Sequence, residues 1–433
     1  MKVLKFFLPF LLATILISCA KNEDPKEMIN NIAESYVKLS LKAGLLDPYF
    51  VDAYYGPAEL KPAENTKPTF ESLIAESDSL ITKLNSVDTQ SFDNLWKLRH
   101  NYLLKQMIAV KTRLEMVSGK KFTFDEQAKL LFDTTVPTNS DEYFESLTKA
   151  LDEELPGKGD FDKRLENFNA QFRIPTAKVD TVFSAAIAEC RRRALQHVQL
   201  PANENFTVEY VTNQPWGAYN WYKGNAFSLI QVNMDLPKSI DGPVGLAAHE
   251  GYPGHHVYNA LLEQKLLKEM KWIEFSIYVL FSPQSLIAEG SANYGVNLIF
   301  PGDEKIKFEK EILFPLAGLD SSKAEKFYRI NELTEKLNYA TNEAARNYID
   351  GKKSKEETIR WLQKYALSTR EKAEKSLSFI ESYQSYVINY NLGEDIVKNY
   401  IEKKTAGSND VNAKWEIFKE ILTNPYSASE LVN

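Results

Sequence analysis

The sequence predicts a mainly α-helical chain: two helical lobes, with a small β-hairpin or sheet beside a central pair of helices. Three observations carry that expectation. Apolar residues recur at helical spacing along most of the chain, as in Leu95, Leu98, Tyr102, Leu103, Met107, Val110 and Leu114. Strand-like alternation is confined to one region, Phe206–Val211 and Phe227–Val232. No Gly/Ser-rich or Pro-rich linker and no internal repeat divides the chain.

The N-terminus reads as a targeting segment. Lys2 and Lys5 precede the apolar stretch Phe6–Ile17, which is too short and wrongly flanked for a membrane span. Leu16-Ile17-Ser18-Cys19 then resembles a bacterial lipobox. Residues 1–18 are therefore expected to be a lipoprotein signal peptide, Cys19 the lipidated residue and 19–26 a polar tether. The expected location is a bacterial cell envelope, on the periplasmic or surface side of a membrane, held by a lipid anchor. Cys190 has no disulfide partner left and reads as a small buried thiol. The net charge of -7 argues against a nucleic-acid partner, since phosphate binding needs basic patches. The basic run Arg191-Arg192-Arg193 reads as a solvated helix face.

Residues 27–433 read as one domain with two lobes. The first helix starts near Glu27 and ends around Gly44, and DPYFVDAYYGP follows as an aromatic loop. Helices are expected near Thr69–Leu84, Asp93–Val117, Glu126–Phe132, Asp141–Glu154, Phe161–Phe172 and Lys178–Gln196, with breaks at Pro156, Pro175 and Pro201. His100 reads as structural, and His197 as a cation at a helix C-terminus. Past Phe300, helices are expected over Ile306–Ala317, Ala324–Ile349, Lys355–Ala366, Arg370–Gln384, Ile388–Lys404 and Lys414–Leu422.

The chemistry concentrates in AAHEGYPGHHVYN. Three of the five histidines lie between His249 and His256, and Glu250 follows the first of them. About thirty residues on, Glu289 stands in the apolar, helix-like run LIAEGSANYG. Two His and one distant Glu make a zinc-type donor set with one position left for water. The spacing is not H-E-x-x-H. On a straight helix a separation of four puts two residues about 40° and 6 Å apart, whereas six or seven turns them away or spreads them by about 10 Å. Asp241 reads as the N-cap of this helix and Pro243 as part of its first turn. Pro253 cannot continue a regular helix, and Gly254 permits unusual dihedrals. A bulged turn over Gly251–Gly254 would absorb two residues and bring His255, rather than His256, to the facing position.

HEGYPGHH followed by AEGSANY resembles the bacterial family catalogued as domain of unknown function 885, grouped with zincin metallopeptidases of the His₂Glu kind. The resemblance implies a zincin-like fold, His249, His255 and Glu289 as zinc ligands, and Glu250 as general base. Its downstream motif, Glu-Gly-Trp-Ala-x-Tyr, is kept here at Glu289, Gly290, Ala292 and Tyr294, with Ser291 in place of the Trp. The Gln common after the second His is Tyr258 here. The reaction implied is zinc-dependent hydrolysis of peptide bonds in short or extended peptides. An oxyanion needs a further donor. Tyr386 and Tyr390 are the first candidates, with Tyr219 and Tyr222 beside them. The strands and the segment Asn213–Asn225 would hold an extended peptide, making His256, Tyr219, Tyr222 and Asn225 candidates for substrate contact. Asn293, one turn after Glu289, would support a ligand from behind. Two rival readings stand beside this one: a zinc amide hydrolase acting on a cell-wall or other non-peptide amide, and a non-enzymatic binding lipoprotein of the same fold.

Overall fold

The computed structural model describes residues 24–214 and 216–432. Cys19 and the expected signal peptide lie outside the described residues. Among those described, no helix is long and apolar enough to cross a membrane.

The chain is mainly helical. Asp24 caps α1 (Pro25–Ala43) by accepting from Lys26 N at 2.9 Å, so the helix already occupies the last two residues of the expected tether. Then come α2 (Phe70–Asn85), α3 (Asn94–Val117), α4 (Phe124–Phe132), α5 (Asp141–Glu154), α6 (Phe161–Asn169) and α7 (Val179–Ala194). Capping boxes at Thr69/Ser72 and Thr123/Glu126 start α2 and α4. Next are α8 (Gly242–Leu246), α9 (His255–Leu262) and α10 (Pro283–Ile299). The rest of the chain forms α11 (Glu304–Phe308), α12 (Phe314–Ala317), α13 (Ala324–Glu335), α14 (Ala340–Ile349), α15 (Lys355–Tyr365), α16 (Arg370–Tyr383), α17 (Ile388–Lys404), α18 (Val411–Thr423) and α19 (Ala428–Val432).

Two helical expectations need correction. The span expected as one helix over Ala324–Ile349 is broken at Lys336–Tyr339. No Pro or Gly marks that break. It closes through tight bonds such as Leu337 N to Thr334 O at 3.0 Å, and Leu337 is buried, so the core holds the turn. The last long helix begins at Val411, earlier than expected, because Asp410 caps it.

The β structure is richer than one hairpin. β1 (Val51–Tyr54) lies in the stretch expected to be a loop, and pairs antiparallel with β5 (Ile277–Val279). The other sheet has the order β2-β4-β3. Here β2 (Asn205–Val211) runs parallel to β4 (Phe227–Asn233), while β3 (Ala218–Tyr222) is the antiparallel neighbour of β4. The two expected strands therefore do not form a hairpin with each other. The aromatic segment between them supplies the hairpin partner.

One continuous core runs from Ile29 to Leu431. α10 is buried along most of its length and packs on α17 with the backbones touching. A Cβ on Gly290 would lie 2.3 Å from the Gly393 carbonyl, and one on Gly393 would lie 2.6 Å from Leu286 O. Only glycine on both helices permits that approach. Gly290→Ala or Gly393→Ala should therefore destabilise the fold by about 1–3 kcal/mol or more through overpacking. Denaturant unfolding measures this; wild-type stability in both variants would show that the helices do not meet there.

Candidate metal centre

The break in the central helix sets the site. Pro243 stands in the first turn of α8, and Asp241 at its N-cap. The Asp241 side chain, however, caps nothing and accepts instead from Asn331 Nδ2 at 2.9 Å. After Leu246 the turns widen: Tyr252 N donates to Ala247 O at 3.0 Å and Gly254 N donates to Ala248 O at 2.8 Å. The chain then passes Pro253 and restarts as α9, with His255 its first residue. A Cβ on Gly254 would lie 1.8 Å from His249 O, so no other residue fits. The expected bulge is thus a wide turn followed by a full break. It sheds the extra residues and brings His255 round to His249.

Three donor atoms converge. His249 Nε2 lies 3.1 Å from His255 Nε2 and 3.3 Å from Glu289 Oε2, and His255 Nε2 lies 3.6 Å from the same oxygen. Ligand atoms about 2.0–2.1 Å from a tetrahedral zinc stand about 3.3 Å apart, so the triangle fits such an ion. Glu289 Oε2 is buried without a hydrogen-bond partner, the state a metal would relieve. No other group of three metal-binding side chains gathers this closely among the described residues.

The layer behind the donors fixes their orientation. His249 Nδ1 donates to Asn293 Oδ1 at 2.8 Å, which presents Nε2 as the free lone pair. Asn293 is in turn held by donating to Tyr390 O at 2.7 Å. The Tyr386 hydroxyl donates to Glu289 Oε1 at 2.9 Å, so its hydrogen is committed to a ligand. It positions Glu289 and is not available to an oxyanion. Tyr390 is 38% exposed and lines the cavity beside the donors with Glu250 and Tyr219.

Electrostatics follow from burial and crowding. Burial opposes the charged form of His249, but Glu289 and Glu250 outweigh it and lift the imidazole to about 9. Burial likewise opposes ionised Glu289, yet His255 and His249 hold it well below the usual carboxylate range. Burial raises Glu250 above its ordinary value. The same cause, partly offset by a bond from Tyr219, lifts Asp52 to about 6.

The remaining candidates divide. His256 is fully buried and turned away: Nδ1 meets Ser228 Oγ at 2.8 Å and Nε2 meets Glu204 Oε1 at 3.2 Å. The expected substrate contact is corrected to a structural tie between α9, β4 and the chain before β2. Ser228 is equally buried, so this serine-histidine-carboxylate row is closed to substrate. Asn225 is also not brought to the cavity. It sits in a left-handed turn whose backbone N–H donates to Glu263 Oε1 at 2.9 Å. Tyr222 borders the cavity, but its hydroxyl is bonded to Glu263. Tyr219 lines the cavity and donates to Asp52. His100 bonds Leu84 O at 2.9 Å, His197 stacks on Trp415, and Cys190 is buried.

Sequence reasoning missed Asp52, Asn220 and Tyr383. Asn220 Nδ2 donates to Glu250 O at 2.6 Å and ties β3 to the metal turn. Asp52 and Tyr383 also line the cavity, whose volume is about 120 Å³. Asp52 gave no signal because its strand was hidden in an aromatic stretch whose partner, β5, lies far along the chain.

A solved structure shares this fold, and a second matches it more weakly. A crystal structure described as "the putative lipoprotein from Colwellia psychrerythraea" is 15% identical, with a TM-score of 0.53, covering 86% of this chain and 70% of that one. A second, described as "a putative lipoprotein of unknown function from Shewanella oneidensis", is 12% identical, with a TM-score of 0.41, covering 82% and 73%. No family model and no curated protein matches the chain.

Two outcomes follow from the geometry. His255→Ala should strip zinc, whereas His256→Ala should keep it and lose about 1–3 kcal/mol of stability by leaving the buried Ser228 hydroxyl without its partner; zinc content and unfolding of the two variants decide this. Without metal His249 is protonated at neutral pH, and a ligand must be neutral. Zinc binding should therefore release a proton, and affinity should rise with pH until about 9. Calorimetry in buffers of different ionisation enthalpy measures the release, and identical heats would contradict it.

Proposed function

We propose that this chain is a zinc-dependent hydrolase of peptide bonds in short peptides, of the kind grouped in the domain of unknown function 885 family. The supporting observation is the triangle of His249, His255 and Glu289 with the Glu250 carboxyl beside it in one cavity. A zinc ion bound by those three residues supplies Lewis acidity to a carbonyl and to water. Glu250 takes the proton of the attacking water and passes it to the leaving nitrogen. Tyr390 donates to the developing oxyanion. The residue as a whole is partly exposed, but its hydroxyl lies in the cavity, where burial and the charges of Glu289 and Glu250 push it well above its ordinary value, so it stays a donor at neutral pH. Tyr386 and Asn293 keep the ligands aimed. The lobed, zincin-like character belongs to the same proposal. Residues from β1, β3, α10 and the α16–α17 region surround a narrow cavity, which suits short peptides and refuses folded proteins.

The chain is also proposed to be a lipoprotein of a bacterial envelope, anchored through Cys19. The LISC sequence supports this, and the Colwellia structure of the same fold carries a lipoprotein description. Metabolic labelling with a fatty-acid analogue should mark the wild type and not Cys19→Ala; equal labelling would refute the anchor.

Glu250→Gln keeps the shape but cannot accept a proton. It should retain zinc and lose about 10²–10⁴-fold in turnover. A panel of short peptides and cell-wall amides, assayed on the zinc-loaded protein, tests both substrate and base. Cleavage of cell-wall amides alone would replace the peptide reading. Wild-type turnover in Glu250→Gln would remove Glu250 as base.

A further inference from the structure

The cavity holds a charged group that the proposed hydrolysis does not use. Val51 pairs with Val279 and Ala53 with Tyr278, so Asp52 is the extra residue of a bulge in β1. Bulges re-aim side chains and gather beside active sites. Here the carboxylate of Asp52 lines the same cavity as His249, Glu250, His255 and Glu289. One of its oxygens accepts the Tyr219 hydroxyl. Among the described residues, no lysine or arginine lines the cavity. The lysine whose charge reaches Asp52, Lys223, sits over the Trp221 ring at 5.3 Å.

A carboxylate drawn out of water calls for a cation. A divalent ion on the three donors does not meet that call, because Glu250, Glu289 and Asp52 together carry one charge more than it neutralises. The walls around Asp52 include Tyr219, Tyr278, Phe379 and Tyr383, and aromatic faces attract cations. Asp52 lies near enough to the donors for the charges of His255 and Glu289 to act on it, so a group held by Asp52 stands beside the donor triangle in one cavity.

We propose that Asp52, backed by the Tyr219 hydroxyl and the aromatic walls, binds the protonated α-amino group of a short peptide, so that residues are released from a free N-terminus. The N-terminal cleavage rests on the peptide-hydrolase reading; the amine site is tested separately from it. Calorimetry on the zinc-loaded full chain measures binding of leucinamide, N-acetylleucinamide and N-acetyl-lysinamide. These carry an α-amine, no amine and a side-chain amine in turn. Leucinamide should bind about tenfold or more tighter than the other two. Equal binding of leucinamide and its acetyl derivative would overturn the site, and tightest binding of N-acetyl-lysinamide would overturn the α-amino assignment. Asp52→Asn keeps an acceptor for Tyr219. It should bind leucinamide about tenfold or more weaker, bind N-acetylleucinamide as before and keep its zinc. Loss of zinc would place Asp52 among the ligands and refute the inference. The wild-type comparison stands even if the variant does not fold. None of these measurements needs turnover. A protein that prefers leucinamide but cleaves no peptide would sink the hydrolase reading and leave the amine site standing.

Discussion

The site depends on one close approach of backbone to backbone. Gly254 passes so near His249 O that no side chain can stand there, and its N–H reaches back to Ala248 O. Pro253 stops the helix carrying His249, and the close pass of Gly254 lets the chain turn so that His255 meets its face. With that turn, two short helices meet at an angle and two imidazoles converge from neighbouring stretches of chain. The same break decides the fate of His256. One residue further along α9, its ring points to the opposite side, where Ser228 and Glu204 close around it.

The third donor arrives by a different route. Glu289 sits on α10 next to Gly290, where α10 touches α17. That contact brings in Tyr386, which holds one oxygen of Glu289, and the carbonyl of Tyr390, which holds Asn293. The packing of two helices and the aim of two donors are therefore one arrangement. The cost of burying Glu289 is met by the imidazoles and the Tyr386 hydroxyl, leaving a single oxygen open toward them.

The strands contribute position more than stability. β3 is joined to the metal turn by Asn220, and Tyr219 on the next position faces the cavity. Across it, β1 presents Asp52 to the same cavity from a bulge. Glu263 ties down the β3–β4 turn through the Tyr222 hydroxyl and the backbone of Asn225 and Ala226, so the Tyr222 hydroxyl is committed to that turn.

Local chemistry made much of this legible in the sequence. Apolar periodicity and capping residues placed most helices to within a few residues, because those forces act over one or two turns. The clustering of His249, Glu250 and His255, with Pro253-Gly254 between them, showed that the helix must break and which histidine would face the first. Other features needed the folded chain. β1 was invisible because its partner β5 is far away in sequence, and a bulge exists only relative to a partner strand. The break at Lys336–Tyr339 contains no Pro or Gly, and the buried Leu337 lies within it. The parallel pairing of β2 with β4 depends on where the aromatic segment folds back. Tyr386 and Tyr390 were equivalent candidates in sequence; the packing of α17 on α10 bonded one to a ligand and turned the other to the cavity. The sequence by itself determined which side chains could bind a metal, since donor chemistry and helix-breaking residues are local properties. Only the tertiary structure decided which neighbours orient those donors and which carboxylate faces them, because long-range packing sets both.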